Sequence, residues 1–250
     1  MTKVGNRMEA ALFGSVLSAL ATGFGALPVL FWSQVTHRFR DILLALTAGI
    51  MVAASTFSLI PQALELSNLT VLTIGITLGT LTLLLLERFV PHVDLDHSKI
   101  FKGIDAKAFL VIAAITLHNL PEGLSVGVSY ASENTGLGGL IAFAIGLQNA
   151  PEGLLVALFL IHQNMNRFKA FLIATLTGAV EIVTALLGYV LTSYVENLVP
   201  YGLSFAAGAM LFIVYKELIP ESHGDGHARS ATLSFIAGLL IMIYLTQIFG

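Results

Sequence analysis

His118 and Glu122 stand four residues apart, and Gln148 and Glu152 repeat that spacing further along the chain. On an α-helix, residues at this spacing project from one face, so each pair presents two donors side by side. Two such faces turned toward each other would gather four N/O ligands, a suitable set for a divalent transition metal. Asn119 precedes Glu122 by three, and Asn149 precedes Glu152 by three, which gives a second cluster beside the first. Glu122 and Glu152 are then placed to bridge two ions, with Glu181 completing the second; metal pairs sharing carboxylates sit about 3.5–4 Å apart. The chain has no cysteine, so thiolate sites and Cu(I) are disfavoured, while Zn²⁺, Fe²⁺, Mn²⁺, Co²⁺ and Cd²⁺ all fit these ligands.

These residues lie deep in apolar sequence. A carboxylate at the centre of a membrane helix costs roughly 2.5–3.5 kcal/mol on insertion scales, so Glu122, Glu152 and Glu181 must face one another, water or a cation. Pro121 and Pro151 lack an amide hydrogen, which predicts helix kinks and frees the carbonyls of Leu117 and Leu147. Such carbonyls are tolerated in a bilayer only where protein, water or an ion satisfies them. Gly123 and Gly153 allow another helix to approach closely.

The elements that must hold this cluster follow from composition. Of 250 residues, 56% are apolar and 11% charged, under half the charge of a soluble domain. The few basic residues are scattered and leave no footprint for nucleic acid. Apolar runs at 10–34, 42–66, 69–86, 106–131, 137–161, 170–194, 198–219 and 231–248 are each long enough to span a bilayer. Period-2 alternation is absent, which excludes a membrane β-barrel. The sequence predicts an all-α polytopic membrane protein of eight transmembrane helices, with residues 1–250 forming one transporter domain. Arg38, Arg40, Arg88, Lys99, Lys102, Lys107, Arg167, Lys169 and Arg229 fall on one face, against Lys3 and Arg7 on the other. That asymmetry places both termini outside the cytoplasm.

Two self-similarities suggest how the spans are arranged. Residues 48–63 read AGIMVAASTFSLIPQA and 207–222 read AGAMLFIVYKELIPES, in the second and seventh spans. Residues 117–124 read LHNLPEGL and 147–154 read LQNAPEGL, in the fourth and fifth. Both pairings join oppositely directed spans, which predicts a 3+2+3 inverted repeat, a recurrent plan for alternating-access transporters. One divalent ion on neutral His118 and Gln148 with ionised Glu122 and Glu152 is electrically neutral, which lowers the cost of moving the loaded site. A membrane-embedded metallohydrolase is the rival reading, but it wants an open metal position with a general base, and no His-Glu-x-x-His occurs. A selective metal channel is a further alternative.

The paired Asn-x-Pro-Glu-Gly motifs, with Thr177-Gly178-x-x-Glu181 in the sixth span, resemble those of the ZIP (ZRT/IRT-like) family of divalent metal transporters, and the likeness covers essentially the whole chain. The resemblance implies import of zinc and related divalent metals into the cytoplasm through a binuclear mid-membrane site. His118, Asn119, Glu122, Glu152 and Glu181 fall on family ligand positions. Many members carry His where this chain has Gln148, and some carry Asp where it has Asn149, so amide ligands loosen both halves of the site. The metal is substrate, not catalyst. The remaining expected partners are bilayer lipid and a second copy of the chain as a homodimer, and the sparse loops point to a bacterial inner membrane.

Peripheral candidates lie toward the cytoplasmic side. His92, Asp94, Asp96 and His97 cluster in the loop after the third span; Glu221, His223, Asp225 and His227 follow the seventh. Glu217 and Glu221, four apart, suit an exit path, although Lys216 allows a plain helix-end charge pattern. Ile141, Ala144 and Ile145, with Met51 and Ala54 opposite, are positioned to close the outer side.

Overall fold

The structure, a computed structural model, describes residues 2–32, 35–88, 104–134, 136–224 and 226–249. The loop candidates His92, Asp94, Asp96, His97 and Asp225 lie outside the described residues. Every regular element among the described residues is helical: α1 (Thr2–Ala26), α2 (His37–Ala53), α3 (Ile60–Glu65), α4 (Leu69–Leu86), α5 (Ile104–Ala131), α6 (Leu137–His162), α7 (Arg167–Tyr194), α8 (Val199–Ile213), α9 (Ile219–Ser222) and α10 (Ala228–Phe249). Seven segments among the described residues are long and apolar enough to cross a membrane, α2–α3 and α8–α9 each counting as one. α5, at 28 residues, is long enough to cross as well. Large apolar side chains such as Phe13, Phe24, Leu176, Leu233 and Tyr244 cover the outside of the bundle, as a lipid-facing surface requires.

Local chemistry fixes where several rods start. Thr36 caps α2 by accepting from Phe39 N–H at 3.2 Å. Asn68 caps α4 through Val71 N–H at 3.1 Å, and Asn166 caps α7 through Phe168 N–H at 2.8 Å. Each supplies an acceptor to an amide that the first helical turn leaves unpaired. α5 and α6 run through Pro121 and Pro151 as unbroken helices.

Two rods widen by one residue at matching places. Between α2 and α3 lies a π-helical stretch, Ala54–Leu59, and between α8 and α9 another, Val214–Leu218. Ile60 N–H bonds the carbonyl of Ser55, and Ile219 N–H that of Val214, each five residues back. In both cases a proline follows at once, Pro61 or Pro220, and its missing N–H breaks the ordinary i−4 ladder where the register shifts. These are the two stretches that share the Leu-Ile-Pro sequence.

The packing repeats the same symmetry. α1 packs along α6 as α7 packs along α5, and α2 packs along α10 as α8 packs along α4. Exchanging the first three rods with the last three, and α5 with α6, carries each pairing onto the other. Small residues permit the contacts: Gly153 lies against the Thr22 carbonyl of α1, and Gly123 against the Glu181 backbone of α7. A side chain at either glycine would strike backbone, so these crossings require the Pro-Glu-Gly glycines.

Candidate metal centre

α5 and α6 cross in the middle of the bundle and bring their paired motifs together. Gln148 Nε2 donates to Glu122 Oε1 at 2.5 Å, with both residues fully buried. The other oxygens of this pair, Glu122 Oε2 and Gln148 Oε1, are buried and receive no hydrogen bond from the protein. Glu152 is half-buried and lines a cavity that His118 also lines. Glu122 lies within electrostatic range of both Glu152 and Glu181.

The second group gathers around Glu181 on α7. Asn149 Nδ2 donates to Glu181 Oε1 at 2.8 Å, and Ser18 Oγ of α1 donates to Glu181 Oε2 at 2.7 Å. Asn149 Nδ2 also lies 3.1 Å from both the Oγ and the carbonyl oxygen of Ser18. Asn149 Oδ1 is buried without a donor. Asn119 turns its amide to the Thr177 carbonyl on α7, at 2.8 Å. Sequence reasoning passed over Ser18. Its signal was the run Ser15, Ser18, Thr22, polar residues at helical spacing within an apolar span, and all three are buried.

His118 does not complete the first group here. Its Nε2 is paired with a carboxylate oxygen of Glu217 in the widened turn after α8. Among the described residues, no three His, Asp or Glu side chains are gathered closely enough to hold a metal ion. The central acceptors are held by amides from Gln148 and Asn149, while the imidazole pairs with the seventh rod.

A cavity of about 280 Å³ leads away from the cluster. His118 and Glu152 line one part of it, and Thr36, His37, Arg40, His162, Gln163 and Glu221 line the part near the face opposite the N-terminus. On the other side, a cavity of about 570 Å³ near the N-terminus, lined by Arg7, Leu66, Glu133 and Tyr189 among others, includes none of the cluster residues. Met51, Ala54, Ile141, Ala144 and Ile145 are essentially fully buried in one apolar cluster.

The peripheral candidates separate. Glu221 reaches the cavity but is ion-paired with Arg40. Lys216 is ion-paired with Glu87, the residue that follows α4, tying the end of the seventh rod to the third. His223 is exposed, with Nδ1 3.0 Å from Ser222 Oγ. His227 Nδ1 lies 3.1 Å from Oδ2 of Asp41, a fully buried residue near the start of α2. His223 and His227 do not line the cavity that contains His118 and Glu152.

An all-α, multi-pass bundle with carboxylate and amide side chains converging at its centre defines an integral membrane protein built around a buried polar cluster. The profile of the family described as ZIP Zinc transporter matches residues 91–246. The chain is 39% identical, over 97% of its length and all of the relative's, to zinc transporter GufA of Myxococcus xanthus. It is 36% identical to zinc transporter ZIPB of Bordetella bronchiseptica, across 96% of this chain and 81% of that one. A zinc transporter ZupT of Chlorobium luteolum is 33% identical, over 95% and 97%. The chain belongs to the ZIP family and is a membrane metal-ion transport protein, not an enzyme. The metallohydrolase reading is thereby set aside.

Proposed function

We propose that this protein imports zinc into the cytoplasm, with Fe²⁺, Mn²⁺, Co²⁺ and Cd²⁺ as related cargo, through a two-ion site at mid-membrane. His118, Glu122, Gln148 and Glu152 form the first subsite; Asn119, Asn149 and Glu181, sharing the bridging carboxylates, form the second. The observation that carries this reading is the surplus of buried acceptors. Glu122 Oε2, Gln148 Oε1 and Asn149 Oδ1 all lack a protein donor. Buried oxygens without donors are rare in folded proteins, and a cation satisfies several at once.

The asymmetric closure of the bundle supports a release-competent state. The face opposite the N-terminus is cytoplasmic by its basic loops, so the cavity leads inward and the apolar plug of Met51, Ala54, Ile141, Ala144 and Ile145 seals the outside. Both termini are then extracytoplasmic, in a bacterial inner membrane. His118, paired with Glu217, stands along the way out, and Glu221 with Arg40 borders the inner part of the cavity. The inverted repeat favours a carrier over a channel, because exchanging the conformations of the two halves opens the opposite face.

Counterflow in proteoliposomes tests this. Vesicles preloaded with unlabelled Zn²⁺ accumulate labelled Zn²⁺ transiently above equilibrium if the protein is a carrier. Saturable uptake without counterflow would favour a channel, and no protein-dependent Zn²⁺ flux would contradict the zinc assignment.

A further inference from the structure

Ser18 lies on the first helix, outside both paired motifs, yet it is the hinge of the Glu181 group. Its hydroxyl donates to Glu181 Oε2 at 2.7 Å, while its Oγ and carbonyl oxygen each lie 3.1 Å from Asn149 Nδ2. All three residues are buried to within 1% of full enclosure. Three helices, α1, α6 and α7, therefore meet in one closed ring of hydrogen bonds.

The ring has a direction. Asn149 spends its amide hydrogens on Glu181 and Ser18, and its oxygen is left buried without a donor. A cation beside Glu181 would favour the reverse, with Asn149 Oδ1 turned toward the metal and the NH₂ displaced from the carboxylate. Ser18 can serve both arrangements, because a hydroxyl both donates and accepts. Thr22, one turn along the same face of α1, adds a second buried hydroxyl without a partner; it is packed between Gly153 of α6 and Gly178 of α7. Chemically this corner offers only oxygen donors, unlike the imidazole-bearing first group.

We propose that Ser18 is a positioning residue of the second subsite: it holds Glu181 in place and lets the Asn149 amide reverse when an ion binds. The inference rests on the two-ion reading above and adds α1 to the metal centre.

The test is Zn²⁺ binding to the purified full-length protein in detergent, by calorimetry with metal analysis, for wild type, Ser18→Ala, Glu181→Gln and the double variant. Alanine suits a helix interior, and thermal melting checks that each variant is folded. Ser18→Ala is expected to weaken the second ion by on the order of tenfold, the loss expected for a hydrogen bond to a charged group, while the first ion binds as in wild type. In the Glu181→Gln background Ser18→Ala adds nothing further, since both act through one carboxylate. Ser18→Thr, which keeps the hydroxyl, restores part of the loss. Two ions bound by folded Ser18→Ala at wild-type affinity would overturn the assignment of Ser18 alone, as would a fully additive double variant. A wild-type protein that binds a single ion would overturn the two-ion reading itself.

Discussion

His118 is ion-paired with Glu217 of the seventh rod, while Glu122, one turn along from His118 on its own helix, accepts its hydrogen bond from Gln148. The one histidine of the paired motifs is thus committed to a carboxylate on the proposed exit side. His118 also lies within electrostatic range of Glu152, so on the proposed path an ion leaving Glu152 for Glu217 would keep the imidazole beside it.

Replacing Glu217 with Gln removes the negative charge that pairs with His118. Maximal Zn²⁺ uptake is expected to fall by on the order of tenfold while KM changes little, the pattern of a lost step after binding. Initial-rate uptake across a Zn²⁺ series separates the two parameters. A large rise in KM with an unchanged maximum would place Glu217 on the binding side instead.

Gln148→His replaces an amide with a stronger zinc ligand at the position opposite Glu122. Zn²⁺ should bind on the order of tenfold more tightly at the first subsite, with slower turnover because release is harder. Calorimetry and uptake rates measured on the same preparation check both halves of this expectation.

Gly153→Ala drives a methyl group into the carbonyl oxygen of Thr22. Overpacking of this kind costs about 1–3 kcal/mol, so the detergent-solubilised protein should melt at a clearly lower temperature. Gly139→Ala is the control: nothing lies within 4 Å of a side chain added there, and its melting temperature should not drop.

Uptake should fall as the pH is lowered through the imidazole and carboxylate range. Protons and metal compete for the same lone pairs on His118, Glu122 and Glu152, so acid empties the site. Zn²⁺ binding measured across that range, at fixed ionic strength, should weaken steadily toward acid. Affinity independent of pH would mean that these side chains are not the ligands.

Hydropathy located the membrane slabs better than the helix ends. Leu69–Leu86 is helical over the residues its apolar run marked, because Asn68 caps one end and Glu87 ends the apolar run at the other. α1 instead starts at Thr2, eight positions before the apolar run, since polar residues such as Asn6 and Glu9 continue a helix beyond the bilayer at little cost. The paired Pro-Glu-Gly motifs made the α5–α6 core legible, and the shared Leu-Ile-Pro marked the two rods that widen. The widening itself was hidden, because it depends on which carbonyl each amide finds. Ser18, Asp41 and Arg40 were missed for a related reason: each matters through a partner far away in sequence, Glu181, His227 and Glu221 respectively. The sequence suggests an exit role for Glu217 and places His118 in the central cluster; that the two pair across helices is visible only in the fold.

The most direct test of the account is Zn²⁺ uptake into proteoliposomes by wild type, Glu152→Gln and His118→Ala, each shown to be folded by thermal melting. The account predicts saturable loading by the wild type, with both variants reduced to the level of protein-free vesicles. Equal loading by all three would contradict it, leaving the paired motifs as structural elements of the bundle.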